Sequence, residues 1–466
     1  MRLPLLKKEM ESIKEWNAFL EKINMINDNL SFDIYYYRGI CNIDFFNEHY
    51  YTKINYHNFD SLTKHFPGTF KSLPDTHKEE LLYQLSKGNI IFSINEKYHY
   101  FVELSKLGDI KQQPSHIDPT NVFETKNDFT DSAIDNVALI TKRLKNNNLI
   151  IKHFIIGNKS KTDCYVLFLD DYINESYTKE ILDKIENIND DYYLSVNDLN
   201  NAIVDDSLVP LSFYTSSPNT VISNLINGKV SIILDNTPVT IILPTTLSLF
   251  TSVKNEINTP KYYSFFNKLF ISIFFIISVF MLGFFISIMN YHTSILSPIF
   301  IANIQLTERG TSFPIIIEII IILFLYDFYR YATSRSPQNY VQSIVIFFGS
   351  LVVGQNAIQS GTIGSLIMMI TSLAYLSSFA ITTNPYLISS INISRLLILL
   401  FSYFLGLVGF IFGTILILLY LRSQKMFNKS YLDPFSPVNL KNIYHFFFPK
   451  RTDQRGRIWK KLFLFW

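Results

Sequence analysis

IVIFFGSLVVGQNAIQSGTIG, residues 344–364, decides the class of this fold. It has no charge, four glycines (Gly349, Gly354, Gly361, Gly364) and an amide cluster at Gln355, Asn356 and Gln359. Lipid alone would select Leu and Phe here, because burying an unpaired amide in hydrocarbon costs several kcal/mol. Small residues let helices approach closely, and intramembrane amides face a partner helix or a water-filled path. The stretch therefore reads either as a tightly packed helix interface or as a wall of a conducting pore.

The surrounding charge pattern extends this reading. No charged residue occurs from Leu269 to Thr307, from Ser336 to Ser394, or from Leu396 to Leu421. Each gap exceeds the roughly 20 residues that cross a bilayer as a helix. The chain is thus expected to be an α/β cytosolic region of two related subdomains, followed by an all-α polytopic membrane domain. The boundaries fall at 1–115 and 116–255 for the two subdomains, 256–425 for the membrane domain and 426–466 for a basic tail. Over 466 residues the net charge is +2 and the charged fraction 17%, which leaves no basic excess for binding nucleic acid. MRLPLLKKEMESIKEW lacks the apolar core and cleavage site of a signal peptide, so the first half is expected in the cytosol. Cys41 and Cys164 have no metal-ligand spacing and are expected to be free thiols.

In the first half, residues 4–30 read as helical from the spacing of Leu6, Met10, Ile13, Leu20 and Ile23. A strand follows at 33–39, a helix at 75–85 and a hairpin over 89–104 turning at Asn95-Glu96-Lys97. The segment 130–146 reads as an amphipathic helix capped by Thr130 or Asp131, with Ile134, Val137, Ile140 and Leu144 on one face. Strands at 149–158 and 164–171 and a helix at 175–188 come next. QLSKGNIIFSINEKYHYFVEL (84–104) is echoed by NLINGKVSIILDNTPVTIILP (224–244), aligning Leu85 with Leu225, Gly88 with Gly228, Asn95 with Asp235 and Val102 with Ile242. Gly88 and Gly228 suit the left-handed position after a helix. The segment 112–125 links the two copies. No catalytic constellation, cofactor site or metal cluster is visible: the pairs Asp170-Asp171, Asp190-Asp191 and Asp205-Asp206 lack further ligands at calcium-loop spacing.

In the second half, 269–289 reads as a first span. Lys254, Lys261 and Lys268 place its start in the cytoplasm. The apolar piece 294–306, carrying Pro298, is short for an untilted span and reads as re-entrant, broken or completed by its neighbours. The run 312–331 holds Glu318, a carboxylate at membrane depth, while Asp327 and Arg330 stand at i, i+3 and can pair. Spans at 365–382 and 396–421 follow, the last opening at Arg395 and closing at Arg422 and Lys425. The basic tail is also expected in the cytoplasm, which requires an even number of crossings. Five long apolar runs leave open whether 294–306 crosses or another run is re-entrant.

Several motifs, in order along the chain, give it a resemblance to a family. DFTDSAIDNVALITKRL (128–144) resembles the Gly-Phe-Thr-Glu-Ser…Asn-Ile…Arg helix of the A subunits of GerA-type spore germinant receptors, through Phe129, Thr130, Ser132, Asn136 and Arg143. Residues 216–246 resemble that family's Pro-Asp…Gly-Arg-Val…Pro-Thr-Thr hairpin. FPIIIE (313–318) with Asp327, Arg330, Ala332, Arg335 and Pro337, SLVVGQNAIQSG (350–361) and YLDPFSP (431–437) follow its membrane and tail motifs. The chain departs from the pattern at 124–127, Ser217, Leu323, Tyr331 and Thr333, which marks a divergent member. The resemblance implies a multi-pass subunit of the inner spore membrane. It would act as a homo-oligomer around an ion channel, beside a transporter-like B subunit that senses the nutrient and a lipoprotein C subunit. Glu318, Asp327, Arg330, Gly354, Gln355, Asn356, Gln359 and Gly361 are the pore and gating candidates. A secondary transporter and a non-conducting scaffold are the alternatives. No enzymatic activity is expected.

Overall fold

The computed structural model describes residues 20–27, 30–41, 48, 70–72, 83–94, 97–101, 128–146, 148–173, 175–250, 261–299, 313–334, 354–355, 357–382, 384–427, 429–433, 435–436 and 446–447. The chain divides into two compact units. One comprises Met1–Asp206 and Leu211–Thr245, the other Ser207–Pro210 and Thr246–Trp466.

The first unit is built on two antiparallel five-stranded sheets. Strands β1 (Leu20–Asn27), β2 (Leu30–Tyr37), β3 (Phe70–Ser72), β4 (Ile90–Ile94) and β5 (Lys97–Phe101) form one, in the order β1-β2-β4-β5-β3. Strands β6 (Leu149–Ile156), β7 (Thr162–Leu169), β8 (Phe213–Thr215), β9 (Val230–Leu234) and β10 (Thr240–Leu243) form the other, in the order β6-β7-β9-β10-β8. The two orders are the same, strand for strand. Gly88 (φ 90°) and Gly228 (φ 73°) both take the left-handed position after a helical turn. Asn89 N donates to Gln84 O and Lys229 N to Asn224 O in the matching way. One detail of the sequence echo shifts: Ser93 pairs with Tyr98, whereas its counterpart Ile233 pairs with Thr240. The second turn is therefore two residues longer, and Tyr100 rather than Val102 is the counterpart of Ile242 in the first sheet.

The helical reading of residues 4–30 fails over its second part. Residues 20–27 are strand β1, paired along its whole length with β2 from Leu20↔Tyr37 to Asn27↔Leu30. Leu20 and Ile23 are three apart, a spacing compatible with a helix, but pairing with the tyrosine-rich β2 overrides local propensity. Lys22 adds an ion pair to Asp33 at 3.2 Å. Residues 4–19, 75–82 and the linker 112–125 lie outside the described residues.

Helices α1 (Ala133–Leu144), α2 (Glu175–Glu186), α3 (Val196–Ile203) and α4 (Pro218–Ile226) pack on this framework. The cap of α1 is Ser132, whose hydroxyl accepts from Asp135 N; Thr130 instead donates its N–H to Asn136 Oδ1 at 2.8 Å. Ala133, Val137 and Ile140 of α1 and Val221 and Leu225 of α4 share one core with Tyr35, Ile91, Tyr165, Leu167 and Ile233. At roughly 25 cal/mol per Å² of apolar surface, such side chains supply most of the drive for folding. Where β2 ends, Gly39 takes φ 79°, and a Cβ there would stand 2.5 Å from Ile134 Cγ2 of α1.

The second unit is helical: α5 (Lys261–Tyr291), α6 (Ile315–Ser334), α7 (Ser365–Ile381) and α8 (Pro385–Ser423). Helices α5 and α8 are long and apolar enough to cross a membrane. Residues 300–312, 335–353 and 448–466, which carry most of the expected short apolar piece, half of the opening stretch and the end of the tail, lie outside the described residues.

The expected single span at 396–421 is corrected twice. Helix α8 begins at Pro385, where Asn384 Oδ1 accepts from Tyr386 N and Leu387 N, so Arg395 lies nearly three turns inside it and not at its mouth. The helix then breaks at Gly406 (φ 62°, ψ −139°). Fifteen residues of straight helix span about 22 Å, yet a Cβ on Gly413 would lie 3.3 Å from Ile398 Cα, and the Phe401 and Phe412 rings are 5.3 Å apart. The second arm thus folds back on the first. Both ends of this hairpin meet the segment Ser207–Pro210: Ser390 Oγ donates to Leu208 O at 2.5 Å, and Leu208 N donates to Tyr420 Oη at 2.9 Å.

Candidate functional site

The candidate residues divide into two groups on α6. Glu318 and Asp327 are nine residues apart, about 13 Å along the helix. Around Glu318 the walls are apolar, with Ile316, Ile319, Ile322, Ile363 and Ile367 buried in one cluster. The carboxylate is only 1% exposed. Its Oε2 accepts from Gly364 N at 2.8 Å, while Oε1 has no partner among the described residues. Gly364 is the residue before α7, so the acid sits at the positive end of that helix, where its four unpaired N–H groups favour an anion.

The glycine and amide stretch leads directly into this point. Gly354 is buried against Met368, while Gln355 and Gln359 are both exposed. Gly361 takes φ 65° and turns the chain before α7. Asn356 lies outside the described residues. Gln355 and Gln359 are therefore not brought onto one surface with Glu318: the two amides are exposed and the acid is buried.

Asp327 anchors the second group. Its Oδ1 accepts from Tyr375 Oη and Asn392 Nδ2, each at 3.0 Å, and lies 3.3 Å from Arg330 Nη2. Arg330 Nη1 also donates to Ser389 Oγ at 3.3 Å. Tyr375 is stacked on Tyr326 with centroids 4.8 Å apart, and Tyr326 shares a 2.6 Å hydrogen bond with Ser372. One acid thus joins α6, α7 and α8.

Sequence reasoning missed Arg395, which is fully buried between α5, α7 and α8. Its Nε donates to Ser278 O at 2.7 Å. Nη2 donates to Ser278 Oγ at 2.8 Å, Ser378 Oγ at 2.7 Å and Ala374 O at 3.0 Å. A guanidinium presents five donors in a fixed fork, and here the fork fixes three helices. The signal was present in Asn384-Pro385, a cap followed by proline at the first helical position. Starting the helix there would have put Arg395 inside it.

In the first unit the acidic pairs serve the loops. Asp191 pairs with Lys159 at 2.5 Å, Tyr193 Oη donates to Asp190 Oδ2 at 2.6 Å, and Asp205 lies 3.6 Å from Lys184. Among the described residues no group of three His, Cys, Asp or Glu side chains is placed to hold a metal ion.

The family model described as the Bacillus/Clostridium GerA spore germination protein matches residues 6–457. The chain belongs to the GerA family. Among its relatives, spore germination protein XA of Bacillus anthracis is 28% identical over 367 residues, covering 78% of this chain and 74% of that one. Spore germination protein GerQA of Bacillus cereus is 26% identical over 436 residues, 92% and 86% of the two chains. An uncharacterized membrane protein of Bacillus subtilis, YfkQ, is 24% identical over 422 residues, 89% and 82%. The N-terminal domain of the A subunit of the Bacillus megaterium spore germinant receptor GerK3 matches 52% of this chain and 92% of its own, at 19% identity and a TM-score of 0.36. Within this GerA-family chain, the membrane-type motifs quoted above coincide with the polar contacts: FPIIIE ends on Glu318, and Asp327 and Arg330 form the second group.

Proposed function

We propose that this GerA-family chain is the A subunit of a spore germinant receptor, a multi-pass protein whose copies surround an ion-conducting path. On this reading the path opens when a transporter-like B subunit senses its nutrient, with a lipoprotein C subunit in the same complex. The observation that carries the proposal is the exposure of Gln355 and Gln359 on a helical unit whose long helices present apolar residues such as Phe324, Phe404 and Val408 outward. An amide facing lipid is costly, whereas one facing a neighbouring copy or water is not. Several copies packed along this segment would leave the amides beside a wet path, with Glu318 behind them at the start of α7. The hairpin in α8 supplies two crossings in place of one, which helps to give the even number that a cytoplasmic start and a cytoplasmic basic tail demand.

A second reading, alternating-access transport, draws on the break at Gly406, since discontinuous helices often surround solute sites. Flux through the purified full-length protein in liposomes separates the two. The channel reading expects non-saturating ion flux that Gln355→Leu and Glu318→Gln change in conductance or selectivity. Saturation coupled to a solute favours the transporter, and unchanged flux in both variants removes these residues from the path.

A further inference from the structure

Arg395 is fully buried and charged, yet its hydrogen bonds all go to neutral oxygens, and Nη1 has no acceptor among the described residues. A buried guanidinium without a carboxylate is expensive. The acid it lacks is close at hand. Asn392, one helical turn away on the same face of α8, donates to Asp327 Oδ1 at 3.0 Å. Tyr375 stands between the two charges, its ring 5.7 Å from Arg395 Cζ and its hydroxyl on Asp327. The stack with Tyr326 holds that ring in place, so a swing of the arginine side chain alone is barred.

We propose, building on the channel reading, that Arg395 and Asp327 are the two halves of a gate latch. In the conformation seen here they are kept one turn apart. Opening slides the first arm of α8 along α6 until Arg395 takes the place of Asn392 on Asp327 and leaves Ser278, Ala374 and Ser378. Three residues of helix correspond to a slide of about 4.5 Å, the scale on which packed helices shift between discrete arrangements. The seam with α5 is close at the level of the slide: a Cβ on Gly283 would stand 2.5 Å from Ile398 Cγ2, 3.0 Å from Ser402 Oγ and 3.3 Å from the Phe410 ring, so the slide carries these side chains past a residue that has none. The resting side offers four neutral hydrogen bonds and the other side an ion pair, two arrangements that compete for one charge.

The test uses the full-length protein in liposomes, spin-labelled through cysteines at Tyr331 on α6 and Phe404 on α8, which are 58% and 70% exposed. Because α6 and the first arm of α8 run in opposite directions, the slide shortens the distance between these labels by about 4 Å. Ser278→Ala/Ser378→Ala weakens the resting side and is expected to populate the shorter distance. Adding Asp327→Asn is expected to abolish it. Asn392→Ala, which vacates the place on Asp327, is a second route to the shorter distance should the serine pair fail to fold. A single unchanged distance in the folded variants overturns the latch, as does a shorter distance that survives Asp327→Asn. Ion flux from the same liposomes separates the two proposals. Shortening without flux overturns the channel reading and leaves the latch, whereas flux without shortening overturns the latch alone.

Discussion

Tyr291 closes over Gly406 at the turn of the α8 hairpin. Its hydroxyl donates to Tyr403 O at 2.9 Å and lies 3.1 Å from Phe404 O, two carbonyls that the break in the helix would otherwise leave open. Its ring lies so close that a Cβ on Gly406 would stand 2.9 Å from it, at a φ of 62° that L-residues rarely adopt. Gly406→Ala is therefore expected to lower stability by about 1–3 kcal/mol, from backbone strain and crowding together. Gly354→Ala, where among the described residues the flexible end of Met368 approaches at 3.1 Å, is expected to cost much less. Thermal unfolding of the two variants in detergent gives the comparison, and equal midpoints would contradict this account of the turn.

Cys41 and Cys164 are both buried, and burial pushes each thiol up to about 12. The thiolate is the reactive form, so both should resist alkylation in the folded protein up to pH 9 and react fully in denaturant. Stoichiometric labelling of the native chain at pH 8 would show that at least one of them is accessible.

Helix α3 opens with a reciprocal cap: Asp198 N donates to Ser195 Oγ at 3.2 Å and Ser195 N donates to Asp198 Oδ2 at 2.9 Å. The side-chain contact with Ser195, and then its main-chain N–H, hold the Asp198 carboxyl below the ordinary carboxylate range. A carboxyl lowered on folding contributes stability above its unfolded pKa and loses it as pH falls through the folded one. Ser195→Ala should cost about 1 kcal/mol near neutral pH, with the difference from wild type shrinking in acid. Denaturation of the full chain at pH 7 and pH 3 measures both points.

Glu318→Gln keeps an oxygen for Gly364 N and replaces the other by an amide NH2, whereas Glu318→Leu removes the acceptor and leaves that N–H unpaired. An unpaired buried donor costs about 1–3 kcal/mol. The leucine variant should therefore be the less stable of the two despite its apolar surroundings. If leucine proves more stable, Gly364 N finds another partner and Glu318 is not needed to start α7.

Much of the first unit was legible because its signals are local. The β4–β5 hairpin follows from β-rich runs flanking a polar turn, and α1 from the spacing of Val137 and Ile140. The doubled glycine at 88 and 228 pointed to two copies of one arrangement, and the strand orders agree. Strand β1 was not legible, since Leu20 and Ile23 carry a helical spacing and only the partner strand overrides it. In the second unit Gly406, Gly409 and Gly413 lie inside the run 396–421, which reads as one uninterrupted span. Only the third dimension shows that the first of them breaks it and that the other two, on the returning arm, lie against Phe401 and Ile398 of the first. Arg395 escaped notice for a related reason: taken as the mouth of a span it needs no partners, whereas inside the helix it needs several.

The reversal in α8 also brings its two ends together. Tyr420 and Ser390 bond the N–H and the carbonyl of one residue, Leu208, so residues 384 and 424 belong to one side of whatever the hairpin enters. A reporter enzyme fused after Ser423 and another inserted beside Asn384 should light up in the same compartment, and the reporter placed at Gly406 should be the one that goes dark.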